Sequence, residues 1–169
     1  MTAKIGSSRV VIRIAAWLLG LALPAGHASA QTAKDLVGTW SVASVTVEQS
    51  GTKVEPYGSD PEGILMLDEN GRYTVMVLRP DLPTFASNSR TAGTLEENGA
   101  VVQGSIAHFG TYAVEGADTL VFRIEASTFP NWDGAEQKRP FMLTGGKLEY
   151  TVPAASGGGT AQVVWTRAK

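Results

Sequence analysis

A chain of 169 residues has room for one domain with one modest hydrophobic core. Its 14 basic and 16 acidic side chains give a formal net charge of −2, with no basic stripe of the kind that nucleic-acid phosphates demand. Cysteine is absent, which excludes disulfide staples, thiol catalysis and thiolate metal sites.

The first thirty residues read as a cleavable export signal. Lys4, Arg9 and Arg13 supply a positive start, Ile14 to Leu23 is an uncharged apolar run, and Pro24 and Gly26 break it. Ala28-Ser29-Ala30 then places small residues at a cleavage site, with Gln31 following. The apolar run has ten residues, whereas a membrane-spanning helix needs about 20. Neither a twin-arginine pair nor a lipid-accepting cysteine is present. The expected mature protein is therefore residues 31–169, located in the periplasm or secreted, with no stable membrane insertion after cleavage. Removing the signal takes three basic side chains and no acidic one, leaving 11 against 16 and a net charge of −5. Such a surface gives no electrostatic reason to bind anionic lipid.

Along the mature chain, apolar residues alternate in short runs between turn residues, a strand rhythm. Gly38 to Gln49 is the first predicted strand and ends at Ser50-Gly51. A loop with Pro56, Tyr57, Gly58 and Pro61 leads to strands over Gly63–Leu67 and Arg72–Arg79, joined through the hairpin signal Asp68-Glu69-Asn70-Gly71. Pro80 and Pro83 stop pairing, and 80–104 is the longest excursion from the sheet. Within it, Thr94 and Glu97 have the spacing of a capping box for a short helix, although Gly99 and the β-branched Val101-Val102 oppose one.

Strands over Ser105–Glu115 and Thr119–Ser127 follow, separated by Gly116-Ala117-Asp118. A second long loop, 128–138, carries Phe129-Pro130-Asn131-Trp132. Arg139–Thr144 and Lys147–Val152 form another hairpin around Gly145-Gly146, and a glycine run leads to the last strand, Thr160–Arg167. Eight antiparallel strands with mostly short connections favour an all-β, up-and-down barrel over a sandwich, because closure removes exposed edges. About eight strands leave an interior that holds side chains or one small ligand.

Several blocks then resemble a known family. Leu36-Val37-Gly38-Thr39-Trp40 resembles the opening of lipocalin-type barrels. Val54-Glu55-Pro56-Tyr57-Gly58, Asp60-Pro61-x-Gly63, Phe109-Gly110-x-Tyr112, Phe129-Pro130-Asn131-Trp132-x-Gly134-x-x-Gln137-x-Arg139 and Val164-Trp165-x-Arg167 resemble the bacterial and fungal lipocalin-like domain family. The blocks run from residue 36 to 167. The resemblance implies an eight-stranded calycin-type barrel with a pocket for a small hydrophobic molecule, and it implies that Trp40 and Arg167 pack together to close the barrel floor. In the family an aromatic residue is usual at the position of His108, and histidine is frequent near Phe122-Arg123, so an inherited acid–base role is in doubt here.

Candidate ligand contacts follow from residue type and position. Phe129 and Trp132 lie in a loop, where a rigid scaffold concentrates binding residues, and Asn131 and Gln137 offer oriented hydrogen bonds to a polar tip. The alternative is a loop that corks the barrel with its own side chains. Tyr57 and Tyr112 each combine an aromatic body with a hydroxyl, ordinary core packing being the stronger reading for Tyr112. Arg123 and Arg139 are cations in an acidic protein. Arg123 shares a strand face with Glu125, opposite Leu120, Phe122 and Ile124, which reads as an outer ladder or as an internal pair for a carboxylate or enolate. His108 is the lone histidine outside the signal, a packed or surface residue more readily than an acid or base. No metal site and no cofactor are implied, since one histidine and no Asp-rich loop leave nothing to hold an ion.

Three roles fit these residues. The first is a carrier for a small hydrophobic or amphipathic molecule, and no catalytic residue is assigned on that reading. The second is a cyclase, isomerase or hydratase acting on a terpenoid or polyketide in the same pocket. The third is a protein-binding inhibitor module that uses loops 80–104 and 128–138, and it predicts a small or absent cavity.

Overall fold

Alternation of apolar and polar residues builds the sheet strand by strand. In the computed structural model, which describes residues 1–2 and 32–169, the strands are β1 (Gly38–Gln49), β2 (Thr52–Val54), β3 (Glu62–Leu67), β4 (Arg72–Leu78), β5 (Ser105–Glu115), β6 (Thr119–Ser127), β7 (Glu136–Thr144), β8 (Lys147–Val152) and β9 (Thr160–Arg167). The assigned export signal lies, apart from residues 1–2, outside the described residues. Every neighbouring pair is antiparallel, and β1 also pairs with β9, so β1 and β3–β9 close an eight-stranded barrel. Tyr73, Val75 and Val77 of β4, Leu148, Tyr150 and Val152 of β8, and Ala161, Val163 and Trp165 of β9 are buried at every second position. One inner face therefore supplies the core, and closure leaves no long free edge.

The two ends of the barrel differ. At one end all connections are tight: 68–71, 116–118 and 145–146. Gly145 and Gly146 have φ of 57° and 81°, the pair of left-handed angles that a two-residue hairpin of this hand requires. A Cβ at Gly146 would meet nothing within 4 Å, so Gly146→Ala isolates the backbone cost, and equilibrium unfolding should show a loss of about 1 kcal/mol. At the other end lie all the long connections, 50–61, 79–104, 128–135 and 153–159.

The tight end is sealed from within. Trp40 is fully buried and its Nε1–H donates to the Leu36 carbonyl at 2.9 Å. The Arg167 guanidinium sits 4.1 Å from the centre of the Trp40 ring. It donates to the carbonyl oxygens of Val37 (2.8 Å) and Asp35 (2.6 Å), tying the last strand to a four-residue helix, α1 (Ala33–Leu36).

Three elements depart from expectation. The chain after Ser50-Gly51 is not all loop: both residues have positive φ, and the hairpin they form adds β2 against Val47–Gln49. The strand β7 begins at Glu136 rather than Arg139, which shortens the preceding loop and leaves within it a single 3-10 turn, Pro130–Trp132. The helix signalled by Thr94 and Glu97 does form and runs on as α2 (Leu95–Gln103). Glu97 N–H donates to the Thr94 hydroxyl at 3.1 Å, and Thr94 N–H donates to the Glu97 carboxylate at 2.8 Å. Gly99 and the β-branched pair are accommodated because α2 buries no residue and rests on its cap.

Candidate functional site

Beneath the long connections the barrel interior opens into a cavity of about 460 Å³. Its walls are largely aliphatic: Val45 and Val47 of β1, Val75 and Val77 of β4, Val152 of β8 and Val163 of β9. Tyr57, Val102, Phe129, Trp132 and the segment Ala155–Gly158 also line it, drawn from all four long connections. The rigid sheet thus supplies the container and the loops supply its contacts at the rim.

The aromatic loop is held down by its own hydrogen bonds. Thr128 N–H donates to the Ala107 carbonyl at 2.8 Å and the Thr128 hydroxyl accepts from Ala107 N–H at 2.9 Å, fastening the loop to β5. Asp133 accepts from Ser127 N–H at 2.8 Å, and Ser127 accepts from Phe129 N–H at 3.0 Å. With the backbone fixed, Phe129 and Trp132 meet edge to face at 5.6 Å between ring centres. A succession of rings leads inward from there. Trp132 stands 5.7 Å from His108, the His108 Nδ1 lies 2.9 Å from the Tyr73 hydroxyl, Tyr73 packs 4.4 Å from Phe122, and Phe122 is 6.1 Å from Tyr150.

Within this lining sits a cation. Along β7 the side chains of Gln137, Arg139 and Phe141 face inward while Glu136, Lys138, Pro140 and Met142 are exposed. Arg139 is 2 % exposed. Its guanidinium carbon lies 4.6 Å from the Phe122 ring centre and 5.0 Å from that of Tyr150, and its Nη2 donates to the Gln137 side-chain oxygen at 2.7 Å. His108 and Arg139 are the two buried polar or charged side chains among the described residues. Burial, and to a lesser degree the Arg139 charge, push the His108 pKa down to about 3, so the imidazole is neutral at ordinary pH. Burial likewise raises the Tyr73 hydroxyl above its usual value, and it raises Tyr57, where a hydrogen bond from Ser156 works in the opposite direction.

The expected contacts divide accordingly. The cavity brings together Tyr57, Phe129, Trp132 and Arg139, with Gln137 bonded to Arg139. Arg123 is a correction: it is on the outer face of β6, where its Nε donates to Glu136 at 2.9 Å, and Glu125 pairs with Arg72 instead. The alternation that buries Phe122 and Ile124 requires this. Asn131 is also a correction, exposed on the 3-10 turn and absent from the cavity wall. Tyr112 is buried away from the cavity, and its hydroxyl donates to the Asp68 carbonyl at 2.8 Å to brace a tight-end turn. Tyr150 and Trp165 also line the cavity without having been candidate contacts, although the period of two along β8 and β9 places both on the inner face.

No curated protein matches this chain. Among solved structures, a redesigned β-barrel aligns at 14 % identity with a TM-score of 0.44, covering 82 % of this chain and 96 % of that one. The wild-type fluorescent protein UnaG aligns at 17 % identity with a TM-score of 0.38, covering 80 % and 98 %. The family described as lipocalin-like domain matches over residues 37–168, every strand of the barrel included, and the chain belongs to that family.

Proposed function

We propose that this protein is an exported carrier that binds one small hydrophobic or amphipathic molecule inside its barrel. The observation that carries the reading is the cavity: about 460 Å³ of largely aliphatic interior, set beneath the four long connections and opposite a sealed floor. A chain that needed only a filled core would place large side chains where Val45, Val47, Val75, Val77 and Val163 stand. Export rests on the pattern of residues 1–30.

Membership of the lipocalin-like domain family supports ligand binding in general. An inhibitor module would need no such cavity. His108 in the cavity wall, bonded to the Tyr73 hydroxyl behind it, is the feature that favours an acid–base enzyme, but a base with a pKa of about 3 is far from the value near operating pH that such work rewards.

The test uses Nile red, an uncharged hydrophobic dye, on the mature protein. Trp132 and Trp165 line the cavity, so bound dye should show blue-shifted emission and accept energy from tryptophan at one dye per chain. Dye at a hundred times its Kd should add about 2.7 kcal/mol to unfolding stability. A folded protein that gives neither energy transfer nor stabilisation with Nile red, a panel of uncharged lipids or long-chain carboxylic acids would remove the carrier reading.

A further inference from the structure

We propose that Arg139 is an anion receptor, and that the ligand of this cavity is an amphiphile whose carboxylate docks on the guanidinium while its apolar body lies among the valines. The proposal rests on the carrier reading above and names the chemical class of the molecule carried.

The distribution of charge points to it. Five ion pairs join side chains of the described residues: Arg72–Glu125, Arg79–Asp81, Arg123–Glu136, Lys138–Glu115 and Lys147–Glu149. All lie at the surface. Arg139 is the cation buried within the barrel, and no carboxylate among the described residues pairs with it. A buried charge is costly unless it is paired and hydrogen-bonded. Gln137 occupies one donor, and the faces of Phe122 and Tyr150 offer only partial compensation.

Hydrogen bonding points the same way. Among the described residues, two buried side-chain polar atoms have no partner, Arg139 Nε and Trp165 Nε1. Both belong to side chains that line this cavity, and both are donors. The lining therefore carries a surplus of donors and asks for a molecule rich in acceptors. A guanidinium offers two parallel N–H groups that match the two oxygens of a carboxylate. The neutral His108, bonded behind the wall to the Tyr73 hydroxyl, stands in the same lining without adding a negative charge that would compete. Burial of the guanidinium at 2 % exposure, among largely aliphatic walls, lowers the local dielectric and would strengthen the pair.

The experiment compares dansyl-undecanoic acid with its methyl ester, read by dansyl fluorescence on the mature protein at neutral pH. The two probes differ in the charge of the head group. The acid should bind at least ten times more tightly than the ester, and Arg139→Met should bring the two Kd values together by weakening the acid alone. Arg139→Gln is the second variant should the first fail to fold, with near-ultraviolet circular dichroism as the check, and the comparison of probes on the unaltered protein needs no variant. Equal Kd values for acid and ester on that protein would overturn the anion receptor and leave the carrier reading standing. Preference for the acid that persists in both variants would place the anion site elsewhere and overturn the assignment to Arg139. Failure of both probes, together with Nile red, would remove the carrier reading and this inference with it.

Discussion

Replacing Trp40 by alanine should cost about 3–5 kcal/mol of folding stability, read as a drop in the urea midpoint at unchanged slope. The indole is fully buried at the point where the barrel closes, for residue 40 pairs with Leu65 of β3 on one side and Arg167 of β9 on the other. Truncation would open a cavity in the floor, strip the Leu36 carbonyl of its 2.9 Å hydrogen bond and remove the ring that Arg167 covers. Trp40→Phe separates these contributions. It keeps most of the apolar contact and loses the donor, so it should cost only the price of one unsatisfied carbonyl, about 1–3 kcal/mol. Because the ligand cavity occupies the opposite end, dye affinity per folded molecule should survive both changes. A Trp40→Ala protein within 1 kcal/mol of the original would show that the floor is not sealed as described.

The strands were legible because a half-buried sheet writes its period of two into the sequence, and Leu148, Tyr150 and Val152 alternate with polar neighbours in plain view. The β2 strand was not, since Thr52, Lys53 and Val54 are all exposed and its existence depends on the turn geometry of Ser50-Gly51. The two arginines show how a boundary hides a site. Arg123 stands between buried Phe122 and Ile124, so the pattern alone sends it outward. Arg139 shares its parity with Phe141, which sends it inward, but a strand started at residue 139 leaves the arginine at a strand end with no defined face. The aromatic loop stood out as a loop, yet which of its side chains turn inward is set by hydrogen bonds to Thr128, Ser127 and Asp133 that spacing does not reveal. Tyr73 was out of reach for another reason. Its contact with His108 requires the register of β4 against β5, and these strands are separated by the longest connection in the chain.

That contact leads to a pH dependence with a definite sign. His108 is 3 % exposed and its folded-state pKa is lowered to about 3, while the unfolded chain titrates near 6.5. Below pH 6.5 the unfolded state takes up a proton that the folded state refuses, so stability falls as pH falls through the window from 6.5 to 3, and above it this group contributes no slope. The loss between pH 7 and pH 5 should be about 2 kcal/mol. The Tyr73 hydroxyl that faces His108 does not share that window, because burial raises its pKa. Asp35, Asp81, Glu97 and Glu125 have pKa values lowered by their hydrogen bonds, so they add to acid unfolding only as pH falls below about 5. Urea titrations at pH 5, 6 and 7 should therefore show a slope that His108→Gln removes. Arg139→Met distinguishes the two causes of the shift. Burial is the larger one and stays in that variant, so most of the slope should persist; a slope abolished with the arginine would mean that charge repulsion, not desolvation, keeps the imidazole neutral.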